Sequence, residues 1–222
     1  MRGGLSIAIV ALGASAAGCV DRSGVAGHAC IVFDIRNTAL CGAKQDIGGL
    51  SVVEVMGGER TTTDADGGFS VAIPDGATRA VLRVAEDRTD RRISLIGVDV
   101  APTDDVLAPV ITTTLWTTYL TALHVEDKPT TATVHVSLSP LPGIAVGGVE
   151  VAGASTILYN QGEAFIWNEQ PPGDQTPAVM AFGVPVESGT AMVNVISRTD
   201  EVLYNGPVPV QAGAITWVRI QR

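Results

Sequence analysis

Short apolar runs separated by turn-forming residues are the feature that most restricts the fold of this chain. Glycine, proline and aspartate punctuate these runs at intervals of about ten residues, and aromatic residues make up only 5% of the composition. Short strands at this spacing indicate a β-sandwich. In the first half, the strands that we predict in this way cover residues 30–34, 51–55, 60–63, 69–73, 79–84 and 93–100.

One hairpin in this half carries a more specific motif. The stretch TTTDADGGFSVAIPDG places Thr63, Asp64, Gly67 and Phe69 ahead of a turn that contains Pro74 and Gly76. This pattern resembles the carboxypeptidase regulatory-like (transthyretin-like) domain, in which a T-D-x-x-G-x-F hairpin precedes a Pro-Gly turn and an alternating strand. We expect Asp64 to bond nearby backbone N–H groups and Phe69 to fill the core. The resemblance implies a sandwich fold and little about function, because such domains serve as scaffolds and interaction units.

The second half of the chain repeats the same order of strands and turns. FGVPVESGTAMVNVIS parallels SVAIPDGATRAVLRVA, since both contain an apolar strand, a proline, a glycine turn and a second apolar strand. Between the halves, residues 110–123 place apolar side chains at helical spacing, although the many threonines also permit one or two strands. The sequence therefore predicts an all-β protein of two tandem Ig-like or transthyretin-like sandwiches, residues 30–108 and 129–222. A linking segment, residues 109–128, joins them, and we favour a helix there.

The N-terminus predicts export. An apolar run of about a dozen residues follows Arg2, which is shorter than a membrane-spanning helix needs and typical of a secretory signal peptide. The run ends in Ala16, Ala17, Gly18 and Cys19, which resembles the lipobox of bacterial lipoproteins. The resemblance implies cleavage before Cys19 and a diacylglyceryl group on its thiol, whereas an ordinary cleaved signal would release a secreted protein.

The resemblance to lipoproteins implies a signal peptide, a tether and a location at a membrane. We expect a signal peptide over residues 1–18 and a tether over residues 19–29, ahead of the first sandwich. Two or three acyl chains anchor a protein stably, whereas one chain alone binds only marginally. The expected location is therefore a membrane, with the outer membrane favoured and the protein facing the periplasm or the cell surface.

Two further cysteines remain once Cys19 carries the lipid. Cys30 and Cys41 form an even pair in an oxidising compartment, where disulfides persist. We therefore expect a disulfide between them, and two separate buried thiols are the alternative.

The sequence contains no recognisable catalytic, cofactor-binding or metal-binding motif. The histidines, His28, His124 and His135, have no second ligand at metal-binding spacing. His135 lies in an alternating run, so we expect it at a strand surface or edge. Asp64 and Asp66 resemble the start of a calcium loop, but a hairpin turn explains both aspartates with fewer assumptions. We expect no enzymatic activity, no cofactor and no metal ion.

These observations favour a non-catalytic, lipid-anchored cell-envelope protein that acts as a structural or protein-interaction module. Its net charge of −9 disfavours nucleic acid as a partner, which leaves an envelope protein or a glycan. Sheet edges could accept a strand from a protein partner. The alternative is a carbohydrate-binding or cell-wall-binding lipoprotein, for which Tyr159, Trp167 and Tyr204 are the candidate ligand contacts, although core packing is the default for large aromatic residues.

Overall fold

The described part of the chain folds into three β-sheets and one helix. A computed structural model describes residues 24–38, 47–85, 91–99, 106–138, 146–172 and 178–220, and all structural statements concern these residues. The elements are β1 (Gly24–Ile31), β2 (Ser51–Glu54), β3 (Arg60–Thr62), β4 (Gly68–Ala72), β5 (Arg79–Ala85), β6 (Ile93–Asp99), β7 (Val106–Val110), α1 (Thr113–Leu123), β8 (Ala132–Ser137), β9 (Val146–Val151), β10 (Thr156–Asn160), β11 (Trp167–Asn168), β12 (Ala178–Val184), β13 (Thr190–Ser197), β14 (Val202–Pro209) and β15 (Ala214–Arg219).

A nine-stranded sheet contains strands from both halves of the described chain, in the order β11-β10-β12-β8-β15-β6-β5-β2-β3. Its strands β2, β3, β5 and β6 come from the first half of the chain, and the others come from the second half. The last strand, β15, lies parallel to β6 on one side and parallel to β8 on the other. The prediction of an all-β sandwich fold is confirmed, and strands from both halves of the chain share this one sheet.

Each half of the long sheet is covered by a separate three-stranded sheet. The sheet β4-β1-β7 buries the apolar side chains of β2, β5 and β6, and the sheet β14-β13-β9 buries those of β8, β12 and β15. Alternation of buried and exposed residues along β4, GFSVA, and β13, TAMVNVIS, gives each short sheet one apolar face.

Helix α1 covers the other face of the second half of the long sheet. The Oγ1 atom of Thr112 accepts a hydrogen bond from the N–H of Leu115 at 3.2 Å and so caps the first turn. Trp116, Tyr119 and Leu120 form the buried stripe, and they join a core cluster that contains residues from both halves of the chain. The predicted helix is therefore present. Among the described residues, no helix combines the length and the apolar character needed to cross a bilayer.

The T-D-x-x-G-x-F hairpin adopts the predicted local structure. The Oδ1 atom of Asp64 accepts hydrogen bonds from the N–H groups of Asp66, at 2.9 Å, and Gly68, at 2.8 Å. Phe69 is buried in the core, and Gly67 adopts a φ of +83°. The carbonyl of Gly67 also accepts a bond from the N–H of Ala29 at 2.8 Å, so the turn is fastened to β1.

The tether predicted over residues 19–29 is wrong from Gly24 onward, because β1 begins there and is the central strand of its sheet. Its small residues suggested a tether, but they are small because neighbouring groups approach closely. A Cβ atom at Gly27 would overlap the carbonyl oxygen of Val106 and lie 2.8 Å from Cζ of Phe69. A run of small residues is therefore compatible with a buried strand as well as with a tether.

Substitution of Gly67 by alanine tests how tightly this hairpin is fastened. The new Cβ would lie 2.5 Å from the carbonyl oxygen of Ala29, in a backbone conformation that disfavours side chains. We expect Gly67→Ala to lower the free energy of unfolding by roughly 2–4 kcal/mol, measured by urea denaturation. Gly76→Ala is the matched control, since its φ is +76° and its surroundings are open, and should cost about 1 kcal/mol. Equal losses would contradict the proposed close contact.

Candidate functional site

Two of the three cysteines singled out in the sequence lie outside the described residues. These are Cys19 and Cys41, so both the lipid attachment and the disulfide with Cys30 stay predictions. Cys30 itself is buried on β1, opposite Pro109 of β7.

Tyr159 is a structural residue that closes the edge of a sheet. It is 6% exposed, and its hydroxyl accepts a hydrogen bond from the N–H of Val149 at 2.9 Å and donates one to the carbonyl of Val149 at 3.2 Å. Val149 belongs to β9, the edge strand of the sheet β14-β13-β9. Tyr159 therefore links β10 of the long sheet to that edge. Its hydroxyl occupies the N–H and carbonyl of Val149, which a partner strand would have to bind in order to pair with β9.

The other two candidate ligand contacts are separated from each other. Trp167 is buried in the core that includes α1, and its Nε1 donates to the carbonyl of Ala164 at 2.9 Å. Tyr204 is half-buried and packs, like Tyr159, against the core under the sheet β14-β13-β9. The three rings are divided between two cores, so the structure does not bring them together as one stacking surface.

The opposite edge of that sheet is closed by prolines. Pro207 and Pro209 lie two residues apart in β14, at positions that pair with Met192 and Thr190 of β13. Proline has no N–H to donate, so it is tolerated in a strand where that group would face away from the neighbour. The carbonyl oxygen of Pro209 accepts a hydrogen bond from the Oγ1 atom of Thr216 at 2.5 Å, so it does not bind an added strand. This part of β14 therefore offers an added strand few donors and acceptors.

A polar cluster lies where the segment after β1 crosses onto the second half of the long sheet. Ile35 is fully buried there. Its carbonyl accepts a hydrogen bond from Nε2 of His135 at 2.5 Å, and its backbone also hydrogen-bonds Tyr119. Burial raises the pKa of the Tyr119 hydroxyl, and this backbone hydrogen bond opposes the shift. The backbone of one residue of the N-terminal segment, Ile35, is thus held by β8 and by α1.

An ion pair at the rim of this cluster adds a further contact between the halves. The guanidinium of Arg36 bonds both carboxylate oxygens of Asp34, with Nη2 to Oδ2 at 2.6 Å and Nε to Oδ1 at 2.9 Å. That hydrogen-bonded pair lowers the pKa of Asp34. The Nη1 atom of Arg36 donates to the carbonyl of Gly162 at 2.6 Å. The segment after β1 is therefore fastened to the loop between β10 and β11.

His135 is buried in the centre of the long sheet, so the expectation of a surface or edge position is wrong. It is 1% exposed, and its ring lies 4.9 Å from the ring of Trp217 on β15. Because Nε2 donates to Ile35, Nδ1 carries the lone pair, and it has no hydrogen-bond partner. Burial lowers the pKa of His135 to about 4, against which the hydrogen bond to Ile35 acts. The imidazole is therefore neutral at pH 7.

This arrangement suits a structural junction. Within the described parts of the chain, no three His, Cys, Asp or Glu side chains come together in a way that could hold a metal ion. His135 faces a backbone carbonyl rather than a carboxylate or a nucleophile. Phe165 packs its ring 4.9 Å from that of Tyr119 yet stays 48% exposed. The cluster joins the two halves and presents an apolar rim to solvent.

Sequence reasoning missed this junction because its parts are far apart in the chain. The run ATVHVSLS alternates apolar and polar residues, which predicts one exposed face for β8. The polar face is buried because α1 and the segment around Ile35 cover it. No local pattern in the sequence indicates that α1 and the segment around Ile35 pack on this face of β8.

Comparison with known proteins leaves the family open. No family model matches the chain, and no curated protein matches it in sequence. Two similar solved chains come from mutants of a type II cohesin–X-dockerin complex of Acetivibrio cellulolyticus, with 19% and 20% identity and TM-scores of 0.28 and 0.27. Each alignment covers 40% of this chain and 56% of the other, so this chain matches little more than half of their length.

A third similar structure is the shaft pilin SpaA of Lactobacillus rhamnosus GG. It aligns over 89% of this chain and 96% of its own length, with 8% identity and a TM-score of 0.28. Similarity at these TM-scores carries no inference about family or activity. The resemblance of the Thr63–Gly76 region to carboxypeptidase regulatory-like domains therefore stays a prediction.

Removal of the Tyr159 hydroxyl tests its role at the edge of β9. Tyr159→Phe would leave the N–H and carbonyl of Val149 buried without that partner, which we expect to cost about 1–3 kcal/mol in the free energy of unfolding. Tyr204→Phe is the matched control, because Tyr204 is half-buried and its hydroxyl lies 3.5 Å from the carbonyl of Pro207. Denaturant unfolding of both variants gives the comparison, and a larger loss for Tyr204→Phe would refute the assignment.

Burial of a neutral His135 predicts a loss of stability in mild acid. Its pKa is about 4 in the folded chain and about 6.5 when unfolded, so the unfolded chain gains the proton first as the pH falls. The stability that neutral His135 contributes at pH 7 is therefore lost between about pH 6.5 and pH 4, by about 3 kcal/mol at most.

The measurement is the free energy of unfolding as a function of pH for the native chain and for His135→Gln. Carboxylates titrate equally in both, so the difference in slope between pH 4 and pH 6.5 reports His135. His124→Asn serves as the control, because His124 is exposed and adopts a φ of 55° that asparagine tolerates. If the free energy of unfolding of the native chain and that of His135→Gln changed with pH at the same slope, His135 would not drive this pH dependence.

Proposed function

We propose that this protein is an exported, lipid-anchored, non-catalytic component of the bacterial cell envelope that acts as a structural or protein-interaction module. The observation that carries the proposal is Cys19 at the end of a lipobox-like segment, five positions before the first strand, β1. A lipid on this thiol would hold the sandwiches close to a membrane surface. The favoured location is the outer membrane.

The edges of the sheet β14-β13-β9 indicate how a structural or interaction module of this kind would contact a partner. Both edges of the sheet β14-β13-β9 are obstructed, one by the hydroxyl of Tyr159 and the other by Pro207 and Pro209. Addition of a partner strand at these edges is therefore disfavoured. We infer that a protein partner would contact exposed side chains, and Phe33 and Phe165, which are 58% and 48% exposed, are suitable aromatic anchors.

The carbohydrate-binding alternative has less support. Stacking on a sugar ring requires an exposed aromatic face, and Tyr159 and Trp167 are only 6% and 8% exposed. Tyr204 offers part of its ring, but it does not lie in one groove with Trp167. We therefore place the carbohydrate-binding function second.

Metabolic labelling with a fatty acid tests the lipid anchor. We expect the native chain to incorporate label and to sediment with membranes, because the Cys19 thiol is the acceptor. Cys19→Ala should lose the label. The control is Cys41→Ala, which keeps Cys19 and should keep the label. Absence of label in the native chain, or its retention in Cys19→Ala, would refute the lipoprotein assignment.

A further inference from the structure

We propose that the turn between β2 and β3, residues 55–58, rests on the surface of the membrane that holds the lipid anchor. The proposal builds on the lipidation of Cys19 proposed above. It adds which surface of the protein faces the bilayer and which side chains enter the interface.

The turn lies at the end of the first sandwich where the described chain begins. Gly24, the first residue of β1, pairs with Ala72, the last residue of β4. The chain then turns at Pro74, and a Cβ atom at Gly57 would lie 2.9 Å from Cγ of Pro74. Residues 55–58, the turn after β4 and the start of β1 therefore share one end of the sandwich, here called the anchor end.

The length of chain between Cys19 and Gly24 keeps the anchor end near the bilayer. Five residue steps separate the two positions, and a fully extended chain spans at most about 3.5 Å per step, or roughly 17 Å. A lipid on Cys19 therefore confines the anchor end to a thin layer above the membrane. That confinement gives the turn a high effective concentration at the interface.

The turn presents apolar side chains to solvent. Met56 is 78% exposed and Val55 is 47% exposed. Neither side chain brings a hydrogen-bonding group that would oppose entry into an apolar layer. Among the described residues, this end carries the acidic residues Glu59, Asp75 and Asp99 and the basic residues Arg60 and Arg79. The two arginines offset part of the acidic charge that would oppose anionic headgroups.

The turn is also held in place before any membrane contact. Glu54 is fully buried, and its carboxylate accepts hydrogen bonds from the N–H of Gly57 and, at 3.4 Å, from the N–H of Val81. The carbonyl of Glu54 accepts a further bond from Gly58 at 2.9 Å. Insertion of Met56 therefore requires little ordering of the backbone, and a preorganised contact binds more favourably than a loose one.

A bilayer fits this tip better than a protein pocket does. Two adjacent apolar side chains on a narrow turn match the shallow insertion of apolar groups at the boundary of headgroups and acyl chains. The anchor supplies that surface within reach, whereas no feature of the anchor end selects a particular protein.

Quenching of tryptophan by brominated lipids tests the contact. Full-length native protein and the variant Met56→Trp would be expressed, isolated from membranes and reconstituted in vesicles of phosphatidylethanolamine and phosphatidylglycerol, with or without bromine on the acyl chains. The native tryptophans, Trp116, Trp167 and Trp217, are buried and are subtracted as background. We expect bromination to lower the fluorescence of the introduced tryptophan about twofold, since the tip lies at the acyl-chain boundary.

Met192→Trp is the matched control, because Met192 is a 49% exposed methionine on β13 of the second sandwich, and its added signal should not respond to bromination. Val55→Trp is a second variant of the tip should Met56→Trp fold poorly. Mass spectrometry of the N-terminal peptide reports lipidation of Cys19 in the same samples. An unmodified Cys19 would overturn both proposals, whereas a lipidated Cys19 with unquenched tip variants, or equal quenching in Met192→Trp, would overturn only the membrane contact.

Discussion

The parallel pairing of β15 with both β6 and β8 is the interaction on which the rest of the structure depends. Thr216 lies opposite Leu95 in β6 and opposite Val134 in β8, so one C-terminal strand joins strands from the two halves. Parallel neighbours cannot be connected by a tight hairpin, and they need a long crossover. Here the connections to β15 pass through most of a sandwich, so the sheet is complete only when the last described strand is in place.

Local features of the fold could be predicted from the sequence because they depend on residues close together in the chain. The aspartate turn at Asp64, the burial of Phe69 and the helix around Trp116 all follow from short-range patterns. The strands that pair with β15 could not be predicted, since its run AITWVRIQ indicates a strand but not its neighbours. Likewise Pro109 obscured β7, because a proline inside a short run argues against a strand unless the run lies at an edge.

The candidate site shows the same division between local and distant information. Cys19 is a candidate because of the residues directly before it, and its identification needs no fold. The junction around His135 needs residues separated by 100 positions, since Ile35 supplies the carbonyl and β8 supplies the ring. Tyr159 illustrates an intermediate case: a buried tyrosine is expected to find a hydrogen-bond partner, but only the fold shows that this partner is the edge of β9.

The shared sheet has a consequence for how firmly the two sandwiches are held relative to each other. The segment after β1 bonds the second sandwich through Ile35 and Arg36, and β15 bonds the first through β6. The connections thus run in both directions, from the N-terminal segment to the second half and from the C-terminal strand to the first half. Separation of the sandwiches would break backbone pairing and leave buried polar groups such as Nε2 of His135 without partners, which is costly. A protein held at its N-terminus would therefore present its second sandwich in a fixed orientation, as a structural or interaction module requires, rather than on a flexible linker.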